Sequence, residues 1–343
     1  MASTRNKRAE RSNPGQPSSQ PGRGFDRELA VLEQMSGRDL DAADIEHLRH
    51  TLRHTNNYLV SKAARLVMEN TLAAFLPDLL AAFDRFFVNP EKSDPKCWAK
   101  EALAKALVKL EFQESTPYVR GMRHHQLEPT WGGPTDTAGA LRGTFTHALV
   151  ACPGLGNAEL LDLLLEPLVD TDKTVRMEAA RALGYVGGAN AALLLKFRVL
   201  LRSEEPEVMG SAFSSLLGMD AAKAIPLVAQ FLDDPEETAA EAAFALAATH
   251  APEALTALIS RRRKGADGWF AGALDNAIAL TRLPESVEFL LQSIKRDERQ
   301  SASALEALSR VYSSDEITAR VKAAVTESGS GRLASAFREF FPA

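Results

Sequence analysis

Seven histidines and two cysteines are the scarce, chemistry-bearing residues of this 343-residue chain, and their spacing decides what they can do. His47, His50 and His54 stand at i, i+3 and i+7, which places three imidazoles near one stripe of a helix. Histidines one turn apart can share a divalent ion, but working sites add ligands from other elements. Arg49 and Arg53 beside them fit an ordinary solvated face, so the trio is a weak metal candidate. His124 and His125 are adjacent and point in different directions on any regular element. Cys97 and Cys152 form no Cys-x-x-Cys pair and are too few for a disulfide framework, as in a reducing compartment. The chain has no P-loop, no Gly-x-Gly-x-x-Gly at a strand–helix turn and no Gly-x-Ser-x-Gly. No catalytic residue, resident metal or cofactor is expected.

The segment Tyr118–Thr137 is the most irregular, with Arg120, Arg123, His124, His125 and Trp131 leading into Gly132, Gly133 and Pro134. It suits a loop that offers basic and aromatic anchors to a protein partner. The competing expectation, favoured for the indole itself, is that Trp131 folds back over the junction of two helical units. Trp269 opens a helix and is expected in the core. Arg261–Lys264 is the one dense basic run after the N-terminus, and Gly265 after it suggests a helix C-terminus whose dipole welcomes cations.

These residues need elements to hold them, and composition favours helices. Aromatic residues make up 7% of the chain, while Ala and Leu dominate after about residue 60. The net charge of -5 divides into a basic stretch over residues 1–24 and an acidic remainder. An acidic body argues against nucleic acid, whose binding needs a basic face. No apolar run is long enough to span a bilayer and the N-terminus shows no signal-peptide pattern, so a soluble, cytoplasmic monomer is expected. Residues 1–24, rich in Ser, Pro, Gly and Arg, read as a disordered basic tail.

The body repeats itself. Val175–Leu183 aligns with Val208–Leu216 and Thr238–Leu246, and the frame continues to Ala277 and Leu308, at intervals of 30 to 33 residues. Upstream, Lys62–Leu66, Glu101–Ala106 and Gly139–Thr144 continue it at about 38 to 40 residues. Each unit holds a second amphipathic segment, such as Leu160–Leu168, Ala192–Leu201 or Val287–Ile294, so one repeat is two helices. Ala179–Ala180 and Ala242–Ala243 let backbones approach closely. Asp170, Asp172, Asp233 and Asp234 are placed to cap helix N-termini.

Asp170-Thr-Asp172-Lys-Thr-Val175-Arg176-Met-Glu-Ala179-Ala180-Arg-Ala182-Leu183-Gly184 resembles the HEAT-repeat signature. The short units are most similar to the bilin-lyase type of HEAT-like repeat. The resemblance implies an all-α, right-handed superhelix of about eight helix pairs whose concave face, lined by the second helices, holds a protein partner. It also implies an inter-repeat ladder in which a turn Asp meets an Arg six residues later, here Asp170 and Arg176. The next repeats depart from it, with Ser203 and Met209, then Asp233 and Ala239. Related metal-dependent hydroxylases carry His-Glu dipeptides, and this chain has none. A bilin-lyase-like or metal-dependent enzyme is the alternative to a scaffold. The expected layout is capping helices over 25–59, longer degenerate repeats over 60–157, regular repeats over 158–312 and a C-terminal cap over 313–343. Phe337, Phe340 and Phe341 are expected to seal the last layer.

Overall fold

The computed structural model describes residues 22–296 and 301–342. Helices α1 (Gly22–Met35) and α2 (Ala42–Leu52) open the chain, the first beginning inside the stretch expected to be a tail. Residues 1–21 of that stretch lie outside the described residues. Among the described residues, eight pairs of helices successive in sequence follow. They are α3 (Asn57–Glu69) with α4 (Leu76–Arg85), then, after the single turn α5 (Pro90–Ser93), α6 (Trp98–Lys109) with α7 (Ser115–Met122). Next come α8 (Gly139–Ala148) with α9 (Asn157–Leu168), α10 (Lys173–Val186) with α11 (Gly188–Leu200), and α12 (Pro206–Met219) with α13 (Ala221–Val228). The last are α14 (Glu236–Ala247) with α15 (Pro252–Arg263), α16 (Gly268–Leu280) with α17 (Pro284–Lys295), and α18 (Ser301–Val311) with α19 (Asp315–Ser328). Helix α20 (Gly331–Phe340) closes the array. The chain is an all-α helical-repeat solenoid.

The first helices of the pairs form one layer and the second helices the other. Within the first layer α3, α6, α8, α10, α12, α14, α16, α18 and α20 each lie directly on the next. Neighbours in the second layer pack on each other much less, α17 with α19 being the main exception. Residue size explains the difference: Ala179, Ala180, Ala242, Ala243 and Ala277 are buried between first-layer helices, where a bare methyl lets two backbones close up. The more tightly packed layer takes the shorter arc, so the Ala-rich first helices line the concave side.

Helix boundaries follow local chemistry. Asp172, Asp220, Ser314 and Ser330 cap α10, α13, α19 and α20 through side-chain oxygens. Pro206, Pro252 and Pro284 occupy first turns, where the missing N–H costs nothing. Gly187 and Gly188, at φ 69° and 79°, make the reversal between α10 and α11 that a side chain would strain. Asp170, Asp233 and Asp234 are not caps: Pro235 precedes α14, and the three carboxylates bind cations from neighbouring repeats. At the C-terminal end Phe337 and Phe341 stack with centroids 5.1 Å apart against the last core layer. Trp269 departs from expectation, standing 54% exposed at the start of α16 because it occupies the solvent side of that first turn while Phe270 takes the core position.

Close packing of the first layer yields a direct expectation. Ala243→Leu should lower stability by about 1–3 kcal/mol through overpacking between α14 and its neighbours. The measurement is a shifted urea midpoint, and a neutral substitution would mean that the layer is looser than described.

Candidate functional site

The irregular segment folds as a β-hairpin, β1 (Leu127–Thr130) antiparallel to β2 (Gly133–Asp136), inserted between α7 and α8. Among the described residues these are the only strands. Gly133, at φ 115°, turns the tip. Trp131 stands on that tip at 107% relative exposure, so the expectation that it folds back over a repeat junction is wrong. A four-residue arm ending in Gly-Gly-Pro has no reach back to the helices, and the indole is carried away from them.

The four basic candidates around it do a different job from the one expected. Arg123 grips Glu166 of α9 with two bonds of 2.9 and 2.6 Å, and this pairing holds Glu166 below the usual carboxylate range. Arg120 donates to Asp84 at 2.7 Å and lies over the Phe87 ring, 3.8 Å from its centroid. His125 Nδ1 meets Asp136 at 2.8 Å. His124 is half-buried, edge-on to Phe87 and 3.2 Å from Gln126, and burial lowers its pKa. They brace the base of the hairpin. Trp131 alone is left free to meet a partner.

Beneath the hairpin runs a chain of buried charges. Asp94 and Lys100 form a fully buried pair at 3.0 Å, and Asp94 also accepts from Asn57 and from the backbone N–H groups of Ala99 and Lys100. Gln126 bridges onward, donating to the Asp94 carbonyl at 2.8 Å while its own N–H donates to Asp136 at 3.1 Å. Arg142 is buried between two carboxylates: Nη1 reaches Asp136 at 2.6 Å, and Nε and Nη2 reach Asp170 at 2.7 and 2.9 Å. Arg176 then spans from the Asp170 and Thr171 carbonyls to Glu204 and Glu205 of the next turn.

The ladder therefore exists with a different partner scheme from the one expected. Asp170 gives its carboxylate to Arg142 of the preceding repeat, and Arg176 takes only its backbone carbonyl, because the Arg side chain is aimed forward along the stack. Asp233 meets Lys264 at 2.7 Å and Arg261 at 3.4 Å, so the basic run at the end of α15 ties two repeats together as well as ending a helix. Two earlier rungs, Asp94–Lys100 and Asp136–Arg142, went unread in the sequence. Their six-residue interval is the same as that of Asp170 and Arg176, and it was the signal available.

The remaining candidates do not converge. His47 Nε2 lies 3.2 Å from Glu28, and His50 is exposed. His54 falls beyond the end of α2, where its Nδ1 accepts the Asn56 N–H at 2.9 Å, so the three do not share a helical stripe. No group of three His, Cys, Asp or Glu is placed to hold a metal ion among the described residues. Burial pushes the Cys97 thiol up to about 12 and raises Cys152 too, which keeps both out of thiolate chemistry.

A groove of about 670 Å³ crosses the concave layer over α10, α12 and α14, floored by Gly184, Gly210 and Ser215 and flanked by His147, Tyr185 and Glu241. His147 is engaged by Glu178 at 3.2 Å, and the Ser211 hydroxyl donates to the Glu207 carbonyl at 3.1 Å. Neither is arranged as a nucleophile with its base. Burial and the nearby charge of Glu207 raise the pKa of Glu241.

The spine under the hairpin has a pH signature. Burial alone would raise the Asp136 carboxyl, but N–H groups of Ala138 and Gln126, the His125 ring and the charge of Arg142 outweigh it and hold it at about 2, against an ordinary 3.8. A carboxyl lowered on folding contributes stability above its unfolded pKa and loses it as pH falls through the folded one. Roughly 2 kcal/mol should therefore disappear between about pH 4 and pH 2. Asp136→Asn should be less stable at neutral pH and lose less stability than the parent across that window in urea titrations, the remaining slope coming from other lowered carboxylates such as Asp170. Separately, Lys100→Met should cost about 3–5 kcal/mol by stranding Asp94, and adding Asp94→Asn should recover part of the loss.

No family model matches the chain, and no curated protein matches it. Among solved structures it is similar to an engineered protein, at 17% identity over 94% of each chain with a TM-score of 0.37. It is also similar to human deoxyhypusine hydroxylase in complex with glycerol, at 16% identity over 78% of this chain and 92% of that one, with a TM-score of 0.30. At such scores the likeness carries nothing about activity.

Proposed function

We propose that this chain is a non-catalytic scaffold of the HEAT-like type, with short repeats, that acts in the cytoplasm by holding a protein partner. The observation that carries this reading is the Trp131 hairpin. An indole held fully in solvent, on an arm fixed at its base by buried charges, has the form of a binding anchor: large, apolar and free of contacts with its own protein. The concave groove, with its small-residue floor and Tyr185 ring 73% exposed, offers a second contact for the same partner. A protein suits this surface better than nucleic acid, because the cationic side chains near the hairpin are committed to internal carboxylates and leave few charges for phosphate.

The test is affinity capture with the full chain and with Trp131→Ala. Loss of the indole should weaken binding of the captured protein by about thirtyfold or more, as truncation of a central aromatic anchor does. Arg123→Ala should act more weakly, by loosening the arm. Iron or a visible chromophore in the purified protein, or an unchanged capture by Trp131→Ala, would overturn the reading.

A further inference from the structure

On the outer layer α11 differs from the helices around it. Its core-facing positions are Ala191, Leu195 and Val199, spaced four apart and buried. Its opposite side carries Leu193, Phe197, Leu200 and Leu201, which are 65, 63, 55 and 48% exposed. The outward positions of the following outer helices are polar by comparison: Lys223 and Gln230 after the start of α13, and Glu253, Thr256 and Ser260 on α15. A stripe of four large, exposed apolar side chains on one helix is normally covered. The interval of four then three residues from Leu193 to Phe197 to Leu200 is the seam along which one helix packs on another.

Charge is distributed unequally on the two sides of this seam. Toward the N-terminus lies α9, which presents exposed Glu159 and Asp162 together with Leu165 and Val169. Toward the C-terminus, Lys196, Lys223 and Asp220 line the cleft of about 360 Å³ between α11 and α13, and because Asp220 holds Lys223 at 2.8 Å the net positive charge of that edge comes from Lys196. An acidic edge and a basic edge thus flank one apolar stripe.

We propose that a second copy of this chain covers α11, related by a two-fold axis running along the helix. That axis keeps the two α11 helices parallel, lays stripe on stripe and swaps left for right, so the α9 edge of each copy faces the α13 edge of the other. The two-fold crossing the helix would set acid against acid, and is disfavoured for that reason. Area agrees with the assignment. The four stripe residues expose on the order of 450 Å² of largely apolar surface, which with Leu165, Val169 and the charged rims approaches the roughly 800 Å² per partner of a stable interface. A foreign amphipathic helix would fill the seam, yet it would leave the opposed edges without a role.

Sedimentation velocity of the full chain between about 1 and 100 µM should show a monomer–dimer equilibrium. Phe197→Glu should raise its Kd at least about thirtyfold, with the far-UV circular dichroism and the thermal midpoint of dilute protein unchanged. Asp162→Lys and Lys196→Glu should each raise Kd about threefold to tenfold, and combining them in one chain should restore it. A wild-type protein that stays monomeric throughout, leaving the stripe to another partner, overturns the proposal. So does a dimer indifferent to Phe197→Glu, or a charge exchange that restores nothing.

Discussion

An open stack of helix pairs is held by apolar contact with neighbours alone, and apolar contact has little preference for one register over another. Buried charge supplies that preference here. Arg142, enclosed between Asp136 and Asp170, is favourable only when both carboxylates are within hydrogen-bond reach, since a guanidinium buried without them carries a penalty of several kcal/mol. The turn before α8, α8 itself and the turn before α10 are therefore set relative to one another by a single side chain. Asp94 with Lys100 does the same around α6, and Arg176 with Glu204 and Glu205 passes the constraint to α12. Beyond α12 the buried charges are sparser: Asp275 of α16 binds Arg262 of α15 and accepts from Ser303 of α18, while other repeats there are joined by more exposed pairs such as Lys264 with Asp233.

The spine thins where the repeat becomes most regular. From α12 onward the intervals are short and the Ala-rich faces do the positioning. Before it the connections are longer and carry a hairpin that a purely apolar stack would not orient. Buried ions are a weak source of net stability but a strong source of specificity when the alternatives strand them. Their concentration under β1 and β2 matches the part of the molecule where a precise direction is needed. Glu128 illustrates the point: although it lies on the hairpin, it accepts from the Lys96 backbone, Gln126 and Thr137, tying the arm to the turn before α6.

Much of the architecture was legible in the sequence because repetition amplifies a weak signal. One Ala-rich segment such as Thr238–Leu246 predicts little, whereas its recurrence at a near-constant interval predicts stacked helix pairs. The pairing of Asp170 was not legible. An Asp and an Arg six residues apart can meet across one turn or each reach into the adjacent repeat, and only the forward tilt of the helix decides between them. Trp131 was misread for a related reason. Hydrophobicity argues that an indole is covered, and nothing in Trp-Gly-Gly-Pro states that the arm carrying it is too short to bend home. His54 shows the limit of periodicity, since its place on the stripe depended on a helix that stops at Leu52.

The two exposed apolar features differ in form and call for different physics. Trp131 is a single large side chain on an arm, suited to entering a pocket, where burial of one residue dominates the free energy. The α11 stripe is a shallow ridge whose contribution grows with area and needs an equally long apolar partner. A solenoid permits both because its layers face opposite ways and each repeat is stabilised mainly by its immediate neighbours. An outer helix can therefore change its solvent face from polar to apolar without disturbing the core positions Leu195 and Val199, and a hairpin can be inserted between α7 and α8 so long as buried charges fix its base. Such substitutions leave the fold intact while giving the surface something to bind, and so the departures from the repeat carry the functional information.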